Sequence, residues 1–221
     1  MGPRTERVSA VATVHAPFIV GRPDLAPPKR KERVYEGFEE LAAFVESRAP
    51  DVIIAFSNEH ISNFVPDNVP PYCVAIGSSN PTLPEFRLPE TRVPSAPDLA
   101  RDLVSYAYDH GFDLAHSEEL LLDHGTGLPL RFLTPRYDIP VVVILENVIF
   151  PPMPTVERSF ELGRLAGRFV REEADDLKVM FLGTGGISHW VGNERHGDEQ
   201  SGNFEQSRNR RSAERPLMDA E

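Results

Sequence analysis

Five short runs of apolar, largely β-branched residues recur along this 221-residue chain, at 8–14, 52–56, 73–76, 139–145 and 179–182, each bounded by turn-forming residues. Runs of this length with little internal alternation mark strands buried on both faces, as in a parallel sheet covered by helices. Between them lie stretches with helical spacing, at 31–48, 98–110, 128–132 and 155–173. In the last of these, Phe160, Leu162, Leu165, Phe169 and Val170 predict one buried face. Strands alternating with helices predict an α/β fold whose central sheet is largely parallel or mixed and flanked by helices. One such domain is expected over 1–196, followed by a polar tail over 197–221. The tail holds only Phe204, Leu217 and Met218 as large apolar residues, too few to offset the entropy of ordering, so it is expected to be disordered.

Charge narrows the function. A formal net charge of −11 argues against a nucleic-acid binder, because phosphate contacts are supplied by Lys and Arg. The cluster Arg208, Arg210, Arg211 and Arg215 reads as a solvated tail. No stretch approaches the ~20 apolar residues of a membrane helix, and the N-terminus lacks the apolar core of a signal peptide. The expectation is a cytoplasmic protein with no membrane partner. The single cysteine, Cys73, sits in the strand-like run "YCVAIG" and reads as a buried structural thiol. Prolines concentrate between 66 and 97, which predicts long irregular connections there.

The stretch "FLGTGGISHW", 181–190, sets three glycines and then His189 directly after an apolar run. His15 in "VHAPF" and His60 in "SNEHI" likewise follow apolar runs. In a parallel sheet the carboxyl ends of the strands share one edge, where the ligand crevice of open α/β folds forms, so these three histidines converge there. His124, in "LLDHGTGLPLRFL", precedes a glycine in a loop from which a side chain enters the same crevice. His110 reads as a helix C-terminal residue, and His116 and His196 carry no role. Two imidazoles plus one carboxylate suit a non-haem Fe(II) site, while the same two imidazoles equally suit zinc in a hydrolase. "GTGG" is neither a Walker loop nor a dinucleotide fingerprint, as no GK[ST] or GxGxxG follows.

Four blocks, "VHAPFIVGRP", "PDVIIAFSNEHISNF" with "PPYCVAIG" after it, "DHGTGLPLRFL" and "FLGTGGISHW", together resemble the class III (LigB-type) extradiol ring-cleaving dioxygenases, in the family's order and over 8–191. The resemblance implies that His15 and His60 ligate Fe(II), that His124 and His189 are acid–base histidines, and that Asn58 lies near the substrate. It implies a catechol-type substrate of the protocatechuate or dihydroxyphenylpropionate class, O2 as co-substrate, and a homo-oligomer or pairing with a second subunit. The family's third ligand, a glutamate, comes from a segment beyond the serine–histidine block. Glu199, Glu205, Glu214 and Glu221 stand in no recognisable family motif, so no carboxylate ligand is assigned and the chain is expected to be C-terminally incomplete. Two rival readings stand beside this one: a catalytically silent member serving as a binding or assembly subunit, and the zinc-dependent hydrolase.

Overall fold

Every long apolar run becomes a strand. The computed structural model describes residues 7–185, so the expectations for His189, His196, the domain boundary at 196 and the tail lie outside the described residues. In chain order the elements are β1 (Val8–Thr13), the single turn α1 (Phe18–Gly21), α2 (Pro28–Arg48), β2 (Val52–Glu59), β3 (Tyr72–Ala75), β4 (Ser79–Pro81), β5 (Arg92–Pro94) and α3 (Pro97–Asp109). There follow β6 (Ala115–Ser117), α4 (His124–Leu133), β7 (Val141–Asn147), α5 (Val156–Glu173) and β8 (Val179–Thr184). These residues fall in one compact unit, Met1–Gly185.

Six strands form one sheet in the order β1-β8-β2-β7-β3-β6, while β4 and β5 pair separately as an antiparallel ribbon. Within the sheet β1, β8, β2 and β7 run parallel, β6 runs parallel to β3, and only the β3–β7 pairing is antiparallel. The sheet is thus mixed and largely parallel. Side chains alternate between two buried faces, which is why these strands read as unbroken apolar runs. Ile53, Ala55, Val143, Leu145, Met180 and Leu182 pack with Phe38 and Val45 of α2 and Leu128 and Leu130 of α4. Val52, Ile54, Val142, Ile144 and Val179 pack with Leu103 and Val104 of α3 and Leu162, Leu165 and Phe169 of α5. Burying each such side chain stabilises by about 1.5–3 kcal/mol.

Three boundaries differ from the sequence reading for local reasons. α2 starts at Pro28 rather than at residue 31, because proline suits the first helical turn, where its missing N–H costs nothing. β7 starts at Val141 rather than at 139, since Pro140 has no N–H to give to a ladder. α4 starts at His124 rather than at 128, because the Asp123 carboxylate accepts the N–H of Gly125 at 2.8 Å and caps the helix. His124 is therefore a helical residue and not a loop residue. Besides the expected strand β3, the proline-rich stretch expected to hold long irregular connections also holds β4 and β5. His110 caps α3 as expected, donating from Nδ1 to the Tyr106 carbonyl at 2.8 Å before Gly111, whose φ is 74°. No helix among the described residues is long and apolar enough to cross a membrane.

Cys73 is 2% exposed on β3, and burial, helped by the charge of Glu59, pushes its thiol up to about 12. The neutral thiol is a poor nucleophile. A thiol reagent at mildly alkaline pH should leave the native protein unlabelled and modify one site per chain after denaturation; stoichiometric labelling of the native chain would contradict this placement.

Candidate metal and catalytic site

Strand order explains why distant histidines meet. β8 lies between β1 and β2, so the carboxyl ends of these three strands are neighbours. His15 stands two residues past the end of β1, and His60 follows the last residue of β2. α4 presents His124 to the same place. The ring centroids of His15 and His60 are 4.9 Å apart, those of His60 and His124 4.4 Å, and those of His15 and His124 5.8 Å. Three of the four histidines assigned to the site from the sequence are thus brought together; the fourth, His189, lies outside the described residues. Asn58, on β2, borders the same edge: a Cβ on Gly185 would lie 3.5 Å from its side chain and 3.1 Å from Cε1 of His15. His116 lies exposed on β6, the strand at the far edge of the sheet.

Each of the three imidazoles is held at Nδ1 by a different acceptor. Nδ1 of His60 lies 3.1 Å from Oδ2 of Asp123, and Nδ1 of His124 lies 2.7 Å from Oε1 of Glu85. A carboxylate accepts only, so both nitrogens carry the proton. Nδ1 of His15 lies 2.9 Å from the Thr184 hydroxyl, which donates its one proton to the Gly125 carbonyl at 2.6 Å and therefore accepts from His15. With Nδ1 protonated, the neutral rings bear their lone pair on Nε2. This is the arrangement by which outer partners orient metal-binding histidines.

The surrounding carboxylates serve N–H and O–H groups. Asp123, 4% exposed, accepts from His60, from the Ser62 hydroxyl at 2.9 Å and from the N–H of Gly125. Burial opposes its ionisation, but the His60 hydrogen bond, the charges of His60 and His124 and the Gly125 N–H outweigh burial and hold the carboxyl below its ordinary value. Glu59, 2% exposed, accepts from the backbone N–H groups of Ser62 at 2.6 Å and Asn63 at 2.9 Å, bracing the turn that begins at His60. Glu85 accepts both the backbone N–H and the Nδ1–H of His124. Glu85 is followed by Phe86 and Arg87, two non-glycine residues with φ of 48° and 64°, a left-handed stretch that costs about 1–2 kcal/mol per residue.

His60, Asp123 and His124 place ligating atoms within 4.8 Å of one another, a possible His/Asp metal site. Both Asp123 oxygens are engaged, Oδ1 by the Gly125 N–H and Oδ2 by His60 and Ser62. Sequence reasoning missed Asp123, Glu85 and Thr184. Asp123 had a signal, since Asp before a short apolar helix is an N-cap pattern. Thr184 stood inside the quoted "GTGG" block but was read only for its glycines. Glu85, in a proline-rich loop 39 residues from its partner, gave none.

Residues 9–218 match the family of the catalytic LigB subunit of aromatic ring-opening dioxygenase. A 2,3-dihydroxyphenylpropionate/2,3-dihydroxicinnamic acid 1,2-dioxygenase of Photorhabdus laumondii is 32% identical over 184 residues, covering 82% of this chain and 56% of that protein. The enzyme of that name from Rhodococcus globerulus is 31% identical over 74% of this chain and 51% of its own length, and one from Pseudomonas putida is 33% identical over 72% and 49%. The chain thus spans about half the length of these relatives. A solved structure of an uncharacterized Escherichia coli K12 protein aligns over 72% of this chain and 58% of that one, with 20% identity and a TM-score of 0.47. With a family match covering all but the first and last few residues, and relatives above 30% identity over most of its length, the chain belongs to the LigB family of aromatic ring-opening dioxygenases.

Proposed function

We propose that this chain carries the metal-binding and proton-transfer machinery of an extradiol dioxygenase, which opens a catechol-type ring beside its hydroxyls with O2. The observation that supports this reading best is the trio of imidazoles at one sheet edge, each protonated at Nδ1 and each oriented by its own acceptor. The relatives' names point to 2,3-dihydroxyphenylpropionate or a related catechol as substrate. Imidazole donors suit Fe(II) among other first-row ions, and the family membership favours iron. His15 and His60 would hold it through Nε2, with Thr184 and Asp123 fixing the two rings.

Fe(II), when bound, supplies one coordination sphere in which catechol oxygens and dioxygen meet, which removes the entropic cost of their encounter. The chain's own groups move the protons. An imidazole titrates near neutrality, so His189 takes the proton a catechol hydroxyl must lose. His124, its Nδ1–H engaged by Glu85, would accept at Nε2 the proton of the catechol's second hydroxyl and return it to the oxygen co-substrate. Asn58 hydrogen-bonds the substrate at the β2 end of the crevice. Gly185, with no Cβ, lets the backbone pass close beside His15 and Asn58.

Replacing His15 or His60 by Ala should abolish stoichiometric Fe(II) uptake, measured anaerobically, while the far-UV CD spectrum stays nearly unchanged. The iron-loaded parent should consume oxygen and give a ring-opened absorbing product from 2,3-dihydroxyphenylpropionate. Variants that bind iron like the parent would remove the ligand assignment.

Asp123→Ala removes a helix cap and the acceptor for His60, and should lower stability at neutral pH by about 1–2 kcal/mol. Because the folded-state carboxyl is held below its ordinary value, its contribution is full above that ordinary value and is lost as pH falls through the folded value. Denaturant unfolding should therefore show the gap between parent and variant narrowing from neutral pH towards pH ~3. A gap that stays constant or widens on acidification would contradict an ionised, stabilising Asp123.

A further inference from the structure

Glu85 does more than an acidic residue near a helix start requires. Asp123 already caps α4 through the Gly125 N–H, and a helix N-terminus attracts carboxylates without dictating what they do to a side chain. Yet a single oxygen of Glu85 accepts both the backbone N–H and the Nδ1–H of His124, each at 2.7 Å, in a pair whose side chains are only 15% (His124) and 25% (Glu85) exposed. The carboxylate is presented by a turn that is held from several sides. Glu85 N–H donates to the Leu83 carbonyl at 2.8 Å, and Leu88 N–H, on a buried residue, donates back to the Glu85 carbonyl at 2.7 Å. Arg131 of α4 donates to the Arg87 carbonyl, so the helix that carries His124 also grips the turn that carries Glu85. Between them, Phe86 sets its ring edge-on to His124, centroids 5.4 Å apart at 81°, and packs against Gly21, where a Cβ would lie 3.1 Å from the Phe86 ring. Two consecutive left-handed non-glycine residues persist only where the surroundings over-determine them, and such strain gathers at functional sites.

We propose that Glu85, with the left-handed Phe86–Arg87 turn that presents it, is the positioning residue for His124, fixing the tautomer and ring plane that keep the Nε2 lone pair on the face shared with His15 and His60. The proposal rests on the reading of His124 as a proton-transfer group and extends it by naming what sets that group's direction. Phe86 closes the ring's remaining freedom from the side, so the imidazole cannot turn its Nδ1 face into the crevice without breaking two contacts.

The test separates this proposal from the function itself. In metal-free, histidine-¹⁵N-labelled protein at alkaline pH, the two-bond nitrogen–proton correlations of His124, assigned with the help of His124→Gln, should report the Nδ1–H tautomer. Glu85→Leu should shift that pattern towards the Nε2–H form, and Glu85→Gln, which retains an oxygen acceptor, should restore it. A parent His124 in the Nε2–H form, or a Leu variant with unaltered correlations, would overturn the proposal. Should the Leu variant fail to fold, the parent measurement alone decides. In the iron-loaded chain with 2,3-dihydroxyphenylpropionate, Glu85→Leu should lower kcat roughly 10–100-fold with little change in KM, as for other partners that orient site histidines, and Glu85→Gln should recover most of it. An unchanged kcat in the Leu variant would reject the positioning role. Absence of turnover in the parent would count against the dioxygenase reading and leave the tautomer result to judge Glu85.

Discussion

The site is organised around one proline. Pro129 lies inside α4 and has no N–H to offer the carbonyl four residues earlier, which belongs to Gly125. That carbonyl is buried and must find another donor, and it takes the hydroxyl of Thr184, the last residue of β8, at 2.6 Å. Having given its proton away, Thr184 accepts from Nδ1 of His15 at 2.9 Å and from the Ser57 hydroxyl at 3.2 Å. One missing helical hydrogen bond is thereby converted into a link between α4, β8, β2 and the segment after β1. The register makes the link possible, because Thr13 and Thr184 are direct partners in the β1–β8 ladder and His15 follows two residues later.

The same economy governs the other two rings. The carboxylates around the cluster, Glu59, Glu85 and Asp123, each accept from backbone or side-chain donors. Their work is to hold imidazoles and the turns that carry them. On the proposed reading, the cost of arranging the rings is already met during folding. Within Asp123 the duties are divided, Oδ1 capping α4 and Oδ2 holding His60.

Much of this was legible in the sequence, and the limit is physical. Strands buried on both faces announce themselves as apolar runs, and the sheet they form is the mixed, largely parallel one expected. That His15 and His60 follow such runs was enough to predict their convergence, which strand order then delivered by setting β8 between β1 and β2. Short elements escaped, because β4, β5 and β6 have three residues each and too little periodicity to register. His124 was placed in a loop, since a helix that opens with Gly-Thr-Gly looks like a turn until Asp123 is recognised as its cap. Glu85 could not be found at all: its partner is distant in the chain, and the left-handed turn that aims it uses Phe86 and Arg87 where a sequence reader looks for glycine.

Two glycines show why the site tolerates no bulk where these elements cross. At Gly125 a Cβ would stand 2.8 Å from Cε1 of His60 and 2.9 Å from Oδ1 of Asp123, so any larger residue would push apart the tether and the ring it holds. At Gly185 the backbone takes φ of 118°, closed to ordinary side chains, as its N–H donates to the Thr13 carbonyl at 2.9 Å. Gly185 thus answers a steric demand set by His15, because the backbone there passes so close to the imidazole that a Cβ would stand 3.1 Å from its Cε1.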